Sequence, residues 1–198
     1  MNLVEKARVQ AYHRARFGAA PLTELGFRNA SSQLQRFDTL CRWGDMTGAL
    51  VLDLGCGHGD LRPFLAERFA DMHYLGVDFL KEFVAVAQQR HGHLPGTQFL
   101  QADFLSVGLP EVDIVIASGS LNYRSDNDLH PWQMISRMWD SARRGVAFNL
   151  LDARHFAADE ILCGYEPDEV LRFCRQLDPG AELVTGYLPD DMTLFLRR

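Results

Sequence analysis

Four aspartates occupy places where chemistry needs acids. Asp53 and Asp60 flank a glycine-rich stretch, VLDLGCGHGD (51–60), while Asp78 and Asp103 each close a later apolar run. A glycine-rich turn lets the backbone approach a ligand closely, with helix N–H groups aimed at it. Such turns serve several cofactors, so the flanking residues decide between them. A triphosphate-binding loop needs Gly-Lys-Ser/Thr at its end, and GHGD stands there instead. The dinucleotide fingerprint G-x-G-x-x-G is met only by Gly55 and Gly57, because Asp60 takes the third glycine's place and would face a pyrophosphate. A third ligand type, an adenosyl group without phosphates, suits the acids. Carboxylates accept hydrogen bonds from ribose hydroxyls and an adenine amino group, and they oppose a positive sulfonium centre.

The elements that must position these residues follow from hydrophobic periodicity. Two helical patterns come first, Leu3 to about Phe17 and about Ser31 to Trp43. Strands and helices then alternate. Strands are predicted over 49–54, 72–78, 97–103, 112–118 and 145–151, with helices over 60–70, 81–91, 131–142 and 167–177. The last two strands, AELVTGYL and DMTLFLRR, are separated only by PD, and so short a connection forces an antiparallel pair. The fold class is therefore α/β: a Rossmann-like, doubly wound sheet of about seven strands, with a C-terminal antiparallel hairpin and N-terminal helices. Residues 1–198 read as one domain, in which 1–45 are a helical extension or lid and 46–198 the core. Asp53, Asp78 and Asp103 then fall near the carboxyl ends of three successive strands, where open α/β sheets bind their ligands.

Composition narrows the function classes. The 198 residues carry a formal charge of −6, which argues against sequence-independent binding to nucleic acid. Residues 1–43 nevertheless hold seven Lys/Arg against three acids, about +4, leaving about −10 for the rest. That basic segment suits either an anionic substrate or a solvated helix face. No apolar run approaches the roughly 18–20 residues of a membrane span, and the first residues show no apolar signal core, so a cytoplasmic protein without membrane partners is expected. The four cysteines have no CxxC or framework spacing and read as reduced thiols. His91 and His93 have no carboxylate or cysteine at ligand spacing, so no metal is expected. No pattern specifies an oligomeric state.

From about residue 49 to its end, the sequence resembles the class I S-adenosylmethionine-dependent methyltransferases. LDLGCGHGD is similar to the family's first motif, GVDFLKEFVAVA to its second, QADF to its third and DIVIASGSLN to its fourth. SSQLQRFDTL, AFNLL and DMTLFLRR further resemble a group of small bacterial methyltransferases. The resemblance implies S-adenosylmethionine as cofactor, with Asp78 on the ribose hydroxyls and Asp103 on the adenine amino group. It implies cofactor contact for Asp53, Gly55, Cys56, Gly57, Phe79, Phe104 and Ser118, and for Arg36 toward the methionine carboxylate or an anionic substrate. Cys56 reads as a small filler of the loop.

The acceptor is less legible. SGSLNY (118–123) lacks the paired prolines of enzymes that methylate planar amines in nucleic acid or glutamine, and this disfavours such acceptors. The expected activity is in-line methyl transfer to oxygen or nitrogen of a small molecule. Asn122, Tyr123 and Tyr12 are candidates for acceptor contact, and His13, Tyr123 and His155 for a general base. Methylation of RNA or protein through the basic segment, and a non-catalytic cofactor-binding module, are the rival readings.

Overall fold

The computed structural model describes residues 1–198. Seven strands form one sheet in the order β3-β2-β1-β4-β5-β7-β6. They are β1 (Leu50–Leu54), β2 (His73–Asp78), β3 (Thr97–Gln101), β4 (Val112–Ala117), β5 (Ala142–Leu151), β6 (Glu182–Thr185) and β7 (Asp191–Arg197). The first five are mutually parallel, and β7 runs antiparallel to both β5 and β6. The helices are α1 (Leu3–Arg14), α2 (Pro21–Glu24), α3 (Ala30–Cys41), α4 (Leu61–Ala66), α5 (Lys81–His91), α6 (His130–Ser141) and α7 (Pro167–Leu177).

Period-two alternation divides the core. Val51, Ile114, Ile116, Ala147 and Phe195 face α3, α4 and α5, whose Phe37, Leu40, Leu61, Leu65 and Ala87 complete one apolar layer. Leu52, Val115, Val146, Phe148 and Leu194 point the other way, onto Met134, Ile135 and Met138 of α6 and Val170 and Cys174 of α7. Both faces are covered, as parallel strands with near-continuous apolar sequences require. No helix is long and apolar enough to cross a membrane.

Three local readings change. Pro21 opens a short helix, α2, where periodicity indicated none; proline at the first helical position gives up no hydrogen bond. Helix α4 stops at Ala66. Strand β6 ends at Thr185, because Gly186 turns the chain at φ +82°; five residues, not two, then join it to β7. The pair stays antiparallel. Three of these five, Leu188 to Asp190, border the cavity described next.

Candidate functional site

The strand order reverses at β1, which lies between β2 and β4. A cavity of about 370 Å³ opens at the carboxyl ends of the strands there, within the size range of ligand pockets. Its floor is the glycine loop after β1. Gly55 N and Cys56 N both donate to the Val77 carbonyl oxygen (2.8 and 3.1 Å), which ties the loop to β2. Gly55 sits at φ +75°, and a Cβ there would come within 2.3 Å of Ser120 Cβ, so only glycine lets the two loops meet.

Asp78, at the end of β2, is buried on the wall. Its carboxylate accepts from Gly57 N (3.0 Å) and Leu80 N (2.9 Å). Asp53 is also a wall residue; the Tyr74 hydroxyl donates to its Oδ2, and Oδ1 has no partner. Burial pushes Asp53 up to about 7 and Asp78 up to about 6. A buried pair of carboxylates with an unsatisfied oxygen suits a ligand that brings hydroxyl donors and a positive charge.

A stability prediction follows from these values. A folded pKa above the ordinary carboxylate value means that folding favours the neutral acid. The stability this brings is complete below about pH 4 and, for Asp53, is lost as pH rises through about 7. The ligand-free Asp53→Asn variant is therefore expected to melt close to wild type at pH 4 and higher than wild type at pH 8. Thermal melts at the two pH values check this; the gap at pH 8 should reach roughly 5 °C.

The N-terminal segment forms the roof, and ion pairs hold it to the body. Lys6 pairs with Asp103, Arg14 with Glu82 (3.5 Å) and Arg28 with Asp190, while Arg36 makes a two-pronged pair with the buried Asp191 (2.8 and 2.9 Å). Glu5 accepts from Asp126 N (2.6 Å). Leu25 covers the glycine loop so closely that a Cβ on Gly57 would lie 2.5 Å from its side chain. Glu24 Oε2 approaches Nε2 of the buried His58 at 3.2 Å.

Most sequence-predicted residues meet at this cavity. Its lining includes Tyr12, His13, Arg36, Asp53, Gly55, Cys56, Gly57, Asp78, Phe79, Phe104, Ser118, Asn122 and Tyr123. Two do not line it. Asp103 lies outside, bound by Lys6, by Ser106 Oγ (2.7 Å) and by Leu105 N (3.1 Å); partial burial works against its charge, but these bonds hold its carboxyl below the usual range. His155 is exposed in a separate hollow beside Asp152 and Arg154. Asn122 is on the wall, with its side chain joined to Gly119 O (3.3 Å) and Leu151 N (2.9 Å). Burial drives the Cys56 thiol well above its ordinary value, which suits a packing residue and not a nucleophile.

Several wall residues escaped sequence reasoning. Leu25 to Asn29, Ser31, Ser32, Phe156, Leu162 and Leu188 to Asp191 all border the cavity. Most lie between elements or at an element's first residues, where periodicity carries little signal. The adjacent acids of the PDD segment (189–191) were the one visible hint.

Residues 51–145 match the methyltransferase-domain family, a stretch that spans the glycine loop, Asp78, Asp103 and the segment after β4. The match takes in just under half of the chain, which is thus similar to that family, and the fold is the one seen in solved S-adenosylmethionine-dependent methyltransferases. More particularly, the chain is 28% identical over 145 residues to trans-aconitate 2-methyltransferase of Delftia acidovorans, covering 70% of this chain and 51% of that one. It is 44% identical over 61 residues to 2-phytyl-1,4-naphtoquinone methyltransferase of Thermosynechococcus vestitus, covering 30% and 27%. The matched stretch thus spans about half or less of these relatives. Among solved structures, magnesium protoporphyrin IX methyltransferase from Synechocystis PCC 6803 with bound SAH superposes with a TM-score of 0.71 at 18% identity, covering 98% of this chain and 99% of that one. The N-methyltransferase NodS from Bradyrhizobium japonicum WM9, in complex with S-adenosyl-L-homocysteine, gives 0.70 at 17%, covering 96% and 97%.

Proposed function

We propose that the chain transfers a methyl group from S-adenosylmethionine to oxygen or nitrogen of a small molecule, as one domain in which residues 1–45 form a lid over a core of 46–198. The observation that carries this reading is Asp78, a buried carboxylate on the cavity wall that also ties down the glycine loop. Asp78 accepts the ribose hydroxyls, the glycine loop admits the methionine portion, and Asp53 Oδ1 receives a donor from the cofactor. The relatives named for aconitate and a naphthoquinone support a small acceptor. So does the lid's charge. Four of its seven cations are bound to acids of the body, which leaves little for phosphate neutralisation. The cytoplasm is the compartment this reading assigns, in keeping with four free thiols.

Calorimetric titration of the wild type with S-adenosylhomocysteine tests the reading; absence of binding would sink it. Asp103 gives a finer check. Reaching an adenine amino group requires Asp103 to exchange its bond to Lys6. Lys6→Ala is therefore expected to tighten S-adenosylhomocysteine a few-fold, as that partly solvated competition is worth about 1 kcal/mol. Weaker binding in this variant would remove Asp103 from the adenine role.

A further inference from the structure

Two groups on the cavity wall are bonded to each other and belong to neither the glycine loop nor its acids. His13 Nδ1 lies 2.8 Å from the backbone carbonyl oxygen of Glu24, and His13 Nε2 lies 2.6 Å from the Tyr123 hydroxyl. A carbonyl oxygen only accepts, so Nδ1 carries the ring proton and Nε2 offers a lone pair to the Tyr123 O–H. The Tyr123 oxygen keeps its own lone pairs for a ligand. Both residues are held firmly. Tyr123 bridges to Leu162, and the next residue bonds Ile161 O (2.8 Å). The His13 ring packs edge-on against Tyr12 and Phe83, each at 5.1 Å between centroids.

The charges around the cavity restrict what can sit beside this pair. Both wall guanidiniums, Arg28 and Arg36, are bound to Asp190 and Asp191. Asp53 and Asp78 face the same cavity, and neither has a cation partner. A carboxylate acceptor would meet acids with no unpaired arginine to neutralise it. The wall also carries the apolar side chains of Phe27, Leu151, Phe156, Leu162 and Leu188.

We propose that the acceptor is an uncharged, largely apolar molecule bearing a hydroxyl group, and that Tyr123 takes the hydroxyl proton while passing its own to His13. This rests on the methyltransferase reading above. Bound S-adenosylmethionine supplies a methyl carbon made electrophilic by the sulfonium. The acceptor oxygen forms the new O–C bond as the S–C bond breaks and leaves its electron pair on sulfur. The acceptor's proton moves to the Tyr123 oxygen, and the tyrosine's former proton moves to His13 Nε2. The positive charge lost at sulfur therefore reappears on the imidazolium, steadied by the Glu24 carbonyl, and leaves with the proton to water. An amine or a carboxylate would attack without such help; a hydroxyl gains from a positioned base.

The test uses three matched probes on the intact chain: an alkylphenol, the corresponding alkylaniline and the alkylbenzoate. The phenol is expected to be methylated and the benzoate to react at least about a hundredfold more slowly. Tyr123→Phe should lower kcat on the phenol by about a hundredfold, with S-adenosylhomocysteine affinity within threefold of wild type. For His13, the position that acts through Tyr123, kcat at saturating substrates should fall at acid pH in the wild type, and this limb should vanish in His13→Gln. Tyr12, Arg16, Glu24, His58 and Tyr123 face the ring, with Asp78 beyond Tyr123. Protonation of Asp53 or Asp78 would instead show in the KM for cofactor. Nitrogen-15 NMR of ligand-free protein should find His13 protonated at Nδ1, with its Nε2 signal shifted in Tyr123→Phe. A benzoate turned over as fast as the phenol, kcat unchanged in both variants, or a ring protonated at Nε2 would each overturn the proposal. A wild type that fails to bind S-adenosylhomocysteine would overturn the methyltransferase reading instead.

Discussion

Asp78→Ala is expected to weaken S-adenosylhomocysteine binding at least about a hundredfold while leaving a folded protein. A hydrogen bond to an ionised carboxylate is worth about 1.5–3 kcal/mol, and two ribose hydroxyls would lose theirs together. Even the low end, about 3 kcal/mol in all, is about two orders of magnitude in affinity. The fold survives because the carboxylate is not a net asset without ligand. Burial raises it to about 6, so at neutral pH the ligand-free protein bears the cost of a charge held in an apolar wall. Against that gain stand the lost acceptors for Gly57 N and Leu80 N. Asp78→Asn keeps one carbonyl acceptor and should fall between the two in affinity. Calorimetry reads the effect, and unchanged affinity in Asp78→Ala would remove Asp78 from the site.

The largest expected loss of stability lies elsewhere, in Gly145→Ala. Gly145 sits in β5 at φ +150°, opposite Arg197 of β7. A Cβ there would lie 2.1 Å from the Leu196 carbonyl oxygen and 3.0 Å from Arg197 Cα. Those atoms are backbone and cannot rotate aside, so the β5–β7 ladder must shift. Backbone strain of about 1–3 kcal/mol adds to overpacking of similar size, on the order of 4 kcal/mol together. For a chain of this length the melting temperature should drop by roughly 8–16 °C. The site stands at the opposite end of β5, so S-adenosylhomocysteine affinity at 20 °C should change little. A variant that melts like the wild type would show that the strands can separate without cost.

These two positions also mark what was legible beforehand. Asp78 stood out because the strand pattern put it at a carboxyl end, as it did Asp53 and Asp103. Gly145 gave no sign, since the need for glycine comes from the close approach of β7, fifty residues later in the chain. Arg36 illustrates the same limit. Its place on a helix was readable, but its pairing with Asp191 depends on how α3 lies over the start of β7.

By itself the sequence determined the alternation of strands and helices, the terminal antiparallel pair, the glycine loop and the acids at the strand ends beside it. These rest on periodicity and on neighbours a few residues apart, where local sterics and burial act directly. Only the tertiary structure decided that His13 meets Tyr123, that Lys6 occupies Asp103, that His155 stands outside the cavity and that the wall arginines are already paired. Each depends on contacts across about a hundred residues or more, or on the path of a segment without periodicity, and there the packing of the N-terminal segment onto the sheet, not local preference, sets which side chains touch.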